Sequence, residues 1–102
     1  GETADTLAAL RHAAAGGQMV AAVVNVATST MARETQLLLP THAGPEVGVA
    51  STKAFTCQLS VLAAFAIALG KAKGRVDAAE EARLVHLLTE VPAAMNLSLI
   101  HI

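Results

Sequence analysis

Tryptophan and tyrosine are absent from this 102-residue chain, phenylalanine occurs twice, cysteine once and proline three times. The near-absence of aromatic rings removes the stacking surfaces on which single-stranded nucleic acid is held. Charge is scarce as well. Seven Lys and Arg against eight Asp and Glu leave a net charge of −1 and a pI near 6.4, with no basic arm or stripe. Nucleic acid and an anionic membrane surface are therefore not expected as partners. A single cysteine, Cys57, excludes a disulfide framework or a cysteine zinc site within one chain, and no metal site is expected. Set in an apolar run, Cys57 reads as a buried, inert thiol in a reducing, cytoplasmic setting. No signal peptide is expected, and the chain opens Gly1-Glu2-Thr3 without methionine; it reads as a piece cut from a longer protein.

What the chain does hold is apolar residues, 54% of the total, many of them alanine. Alanine packs helices closely but supplies little volume, so the length and composition allow one small domain. Ala4–Ala15 places Leu7 and Leu10 on a helical period and stops at Gly16-Gly17, with Asp5 in the first turn, where the helix dipole favours negative charge. Met19–Val26 is a continuous apolar run, the signature of a strand covered on both faces in a parallel sheet. Ala27–Thr30 is a polar turn and Met31–Glu34 a single helical turn. Leu37–Leu39, closed by Pro40, is a second short strand.

Thr52–Ala72 predicts a long helix, apolar nearly all round and hence buried, ended by Lys71, Lys73 and Gly74. Its most apolar part, Ala54–Leu69, is about sixteen residues and includes Thr56, Gln58 and Ser60, short of the ~20 apolar residues of a membrane span. Asp77 caps a last helix with Leu84, Val85, Leu87, Leu88 and Val91 as its apolar face and Pro92 as its interruption or end. Helices alternating with buried strands predict an α/β fold, a parallel sheet with flanking helices.

In such a sheet the strand-to-helix loops open on the carboxyl edge, where ligands bind. Ala27–Thr30 and Thr41–Ser51 are loops of this kind, and Gly1–Thr3 joins them if a strand precedes it. The second loop holds two glycines, a proline, Glu46 and Ser51, and Ser51-Thr52 falls where the next helix begins. Hydroxyls, backbone N–H groups and a helix N-terminus suit a phosphate. An ordinary surface loop with a Ser/Thr cap is the competing reading. No nucleophile–base pair is evident.

Gly1-Glu2-Thr3-Ala4-Asp5-Thr6, Arg33-Glu34 and the run Ala43-Gly44-Pro45-Glu46-Val47-Gly48-Val49-Ala50-Ser51-Thr52-Lys53-Ala54-Phe55-Thr56 together resemble the sugar-isomerase (SIS) domains of the glutamine–fructose-6-phosphate aminotransferase family. The likeness extends from Gly1 to Ala94. It implies a flavodoxin-like, three-layer SIS fold over residues 1–96, incomplete in this chain, within a longer homodimeric enzyme. That enzyme turns fructose 6-phosphate and glutamine into glucosamine 6-phosphate and glutamate. Glutamine would bind at a domain absent here, and no cofactor is implied.

By the same resemblance Gly1 ends a phosphate loop, Thr3 binds the sugar phosphate, and Val49 and Ser51 line the sugar site. None of the family's catalytic residues maps onto this chain, so the chain alone is expected to be inactive. Ala27-Thr28 stands where the family often has Pro-Gly. Residues 97–102 depart from the family pattern and are read as a tail foreign to the domain. Alternatives are an SIS regulatory module that binds a sugar phosphate, and a phosphosugar isomerase or deaminase. Glu46, Lys53, His42, His12 and His86 read as surface or structural residues, and Arg33-Glu34 as forming local pairs.

Overall fold

A computed structural model describes residues 4–45 and 52–100, with side chains from 4–45 and 53–98. The chain divides into two compact units, residues 1–61 and 62–102.

The first unit contains α1 (Ala4–Ala15), β1 (Ala21–Val24), α2 (Thr30–Glu34), β2 (Leu37–Pro40) and the start of α3 (Thr52–Ala72). β1 and β2 pair in parallel, with Ala21 opposite Leu37 and Val24 opposite Pro40. The α/β expectation is met, and both loops that follow the strands leave from one edge. β1 is shorter than Met19–Val26, for a local reason. At its start the Val20 N–H donates to the Gln36 side-chain carbonyl at 2.7 Å. The Val20 carbonyl accepts from the Thr35 hydroxyl at 2.9 Å and the Gln36 N–H at 3.1 Å. Side chains thus share the bonding with the backbone at that end, and Met19 just before it is 75% exposed.

Among the described residues only Leu10, Ala22, Ala32 and Ala54 are buried, all four in this unit. Three of the four are alanines, so the core holds little volume. α1 is joined to α2 by a two-pronged ion pair between Arg11 and Glu34. Glu34 therefore pairs 23 residues away rather than locally. Arg33 does stay local, reaching the Thr28 carbonyl at 3.2 Å and the Thr30 hydroxyl at 3.3 Å.

α3 has the bounds its sequence predicts, but not the burial. Phe55 is 61% exposed and Leu59 51%, and only Ala54 in the first turn is covered. Cys57 is half-buried rather than enclosed. Two four-residue strands present too little apolar surface to cover a helix of 21 residues. The apolar stretch is also longer than Ala54–Leu69: Lys53–Ala72 is long and apolar enough, by length and composition alone, to cross a membrane.

The second unit holds the end of α3 and α4 (Ala78–Ile100). α3 ends at Ala72, two residues before Gly74, whose φ of +72° is the left-handed conformation glycine adopts without penalty. The Arg75 and Val76 N–H groups fold back onto the Gly70 carbonyl at 2.8 and 3.2 Å, satisfying an end-of-helix acceptor. Asp77 caps α4 as expected, its carboxylate accepting from the Glu80 N–H at 2.8 Å.

Two expectations for α4 fail. Pro92 neither ends nor interrupts it: α4 runs through the proline to Ile100, although proline has no N–H to donate to the preceding turn. Of the expected apolar face, Leu84 and Leu88 are half-buried, while Val85, Leu87 and Val91 are exposed. The helix also passes Asn96 without a break.

Candidate functional site

The carboxyl edge of the β1–β2 pair is built around Asn25, the residue that follows β1. Its Oδ1 accepts from the Ala43 N–H at 2.9 Å and from the Thr41 hydroxyl at 3.1 Å, and its Nδ2 donates to the Gly44 carbonyl at 2.6 Å. The Thr41 N–H donates to the Val24 carbonyl at 2.9 Å, extending the ladder by one bond. The loop held in this way bends through left-handed backbone at His42, φ +54°, and Gly44, φ +77°. A histidine there is strained, whereas glycine is not. From the other side the Lys53 ammonium, at the start of α3, donates to the Pro45 carbonyl.

The second loop of the edge enters α2 through Ser29, whose hydroxyl accepts from the Ala32 N–H at 3.2 Å. That bond satisfies one of the free N–H groups of the first turn. The edge therefore presents Thr28, Ser29, Thr30 and Thr41 on two backbone turns. Among the described residues no group of His, Cys, Asp and Glu is arranged to hold a metal ion.

The four residues expected to contact a sugar phosphate, Gly1, Thr3, Val49 and Ser51, lie outside the described residues, as does Glu46. Of the residues read as surface or structural, His42 and Lys53 are exposed, and Lys53 donates to the Pro45 carbonyl. His86 makes an exposed contact with Glu90 at 2.9 Å. Asn25 had no role in the sequence reading. Its one signal was an amide set at the end of an otherwise apolar strand.

A family model described as the SIS domain matches residues 1–68. The chain belongs to the SIS domain family. The matched span takes in both strands, the whole carboxyl edge and most of α3. Over 99 residues, 97% of its length, the chain is 68% identical to the glutamine–fructose-6-phosphate aminotransferase (isomerizing) of Zymomonas mobilis. It is 65% identical over 94% of its length to the protein of that name from Bradyrhizobium diazoefficiens, and 63% identical over 90% to that from Caulobacter vibrioides. The chain spans 16% of the length of the first two relatives and 15% of the third.

Proposed function

We propose that this SIS domain is the sugar-phosphate-binding part of an isomerising glutamine–fructose-6-phosphate aminotransferase. The observation that carries the reading is the 68% identity over nearly the whole chain to a relative of that name. The parallel edge supports it, since two strand-to-helix loops rich in hydroxyls open side by side there. In this reading Thr3 and the N–H groups around Gly1 hold the phosphate, at the start of a helix whose dipole favours an anion. Val49 and Ser51 line the sugar. The protein is cytoplasmic and homodimeric, receives ammonia from glutamine at another domain, and engages neither membrane nor nucleic acid.

The test is direct binding of fructose 6-phosphate to the full-length polypeptide that contains this segment, with formation of glucosamine 6-phosphate from glutamine as the activity. Binding and turnover are expected together. Binding of the sugar without turnover, in a polypeptide bearing a DNA-binding domain, would assign the segment to a regulator instead.

A further inference from the structure

We propose that Asn25 is a positioning residue: its side-chain amide fixes the loop at Thr41–Gly44 against the end of β1 and so sets the affinity of the carboxyl edge for its sugar phosphate. The proposal rests on the reading of this edge as a sugar-phosphate site. Asn25 is half-buried at the close of an apolar strand, and both of its polar atoms are engaged with the neighbouring loop. Its orientation follows from chemistry. A backbone N–H can only donate, so the atom facing Ala43 is the oxygen, and the nitrogen must face the Gly44 carbonyl. Aspartate reproduces two of these three bonds. It keeps two acceptor contacts but sets a carboxylate oxygen against a carbonyl oxygen at the 2.6 Å contact.

The loop needs such a clasp because its backbone is otherwise unfavourable. His42 sits at φ +54°, where a side chain costs energy, and Gly44 at +77°. The ladder holds this loop only at the Thr41 N–H. Beyond Gly44, the Lys53 ammonium takes the Pro45 carbonyl, and the sequence continues toward Val49 and Ser51. Asn25 thus governs where the chain leaves the sheet, without itself touching ligand. Binding a small ligand in a fixed geometry is sensitive to such displacement.

The experiment compares the full-length polypeptide with Asn25→Ala, Asn25→Asp, Thr41→Val and Thr41→Ser. Thr35→Val is the comparator, because Thr35 ties Val20 to Leu37 at the opposite edge of the same sheet. Expected are a KM for fructose 6-phosphate raised about tenfold in both Asn25 variants, equivalent to about 1.4 kcal/mol, with kcat and the KM for glutamine nearly unchanged. Thr41→Val shifts the KM in the same direction by less, and Thr41→Ser, which keeps the hydroxyl, restores it. Thr35→Val lowers thermal stability and leaves the KM in place. Folded Asn25→Ala and Thr41→Val proteins with unaltered KM would overturn the proposal while leaving the sugar-phosphate reading intact. So would a Thr35→Val protein whose KM rises in proportion to its lost stability. Failure of the unaltered polypeptide to bind fructose 6-phosphate would overturn both.

Discussion

Arg11 and Glu34 meet through two parallel hydrogen bonds, Nε to Oε1 at 2.8 Å and Nη2 to Oε2 at 2.7 Å, and so tie α1 to the end of α2. This fork-to-fork geometry is the strong form of the arginine–carboxylate pair. The bonds from Arg11, with the nearby charges of Arg11 and Arg33, hold the Glu34 carboxyl below its usual range. A carboxyl lowered in the folded state contributes stability above its unfolded pKa and loses that contribution as pH falls through the folded value. Both groups are solvent-exposed, which limits the size of the effect. In the longer polypeptide, Glu34→Gln is expected to lower the melting temperature slightly at neutral pH. The difference should close in acid, as Glu34 takes up its proton. A gap that persists in acid would assign the loss to packing.

On the proposed reading, in which Thr3 holds the sugar phosphate, Thr3→Val removes a hydroxyl without altering side-chain shape. Loss of one charge-assisted hydrogen bond, worth on the order of 1.5–3 kcal/mol, should weaken fructose 6-phosphate binding roughly ten- to a hundredfold. On the same reading, glutamine hydrolysis in the full-length polypeptide should be largely spared. Sugar affinity and melting temperature are to be measured on the same variant. Unchanged affinity with a lower melting temperature would make Thr3 a helix cap only.

The 102-residue chain alone is expected to form no glucosamine 6-phosphate from fructose 6-phosphate with glutamine or ammonia. The relatives are about six times longer, and no acid–base pair stands at the described edge. Product formation by the purified chain would refute this.

The same chain is expected to self-associate. Phe55, Leu59 and Leu62 are each about half exposed or more on α3, and the buried core among the described residues is three alanines and a leucine. Contiguous apolar surface of this kind drives association. Sedimentation should show species larger than the monomer. A soluble monomer with a cooperative thermal transition would contradict the expectation.

Gly70 and Val76 offer a double-mutant test at the end of α3. A Cβ on Gly70 would lie 2.8 Å from Cγ2 of Val76, a stiff β-branched side chain. Gly70→Ala should therefore gain nothing in stability, although alanine favours a helix by about 1 kcal/mol over glycine. In a Val76→Ala background the clash is gone, and Gly70→Ala should stabilise by up to about 1 kcal/mol. Equal effects in both backgrounds would show that the contact yields freely.

The elements most legible in the sequence were those with local punctuation. Gly74 follows the end of α3, Pro40 closes β2, and Asp77 caps α4, each through chemistry confined to a few neighbouring residues. Pro92 reads as a break by its local chemistry, yet α4 continues through it to Ile100. Burial of α3 was inferred from its apolar composition, but burial depends on how much surface faces a helix, which a helix's own sequence does not state. The clasp at Asn25 and the Arg11–Glu34 pair were hidden for a related reason: each joins residues far apart in the chain.

The parallel pairing aligns residues sixteen positions apart, and the same step separates the side-chain bonds that close the ladder, Val20 with Gln36 at one end and Asn25 with Thr41 at the other. Extra residues at the Ala27–Thr28 turn would lengthen the crossover and leave every one of these partners aligned. A single residue inserted between Val20 and Asn25, or between Gln36 and Thr41, would throw one end out of step and turn the strand's faces over. Length variation among natural copies of this segment should therefore gather at that turn and be missing from the two strands.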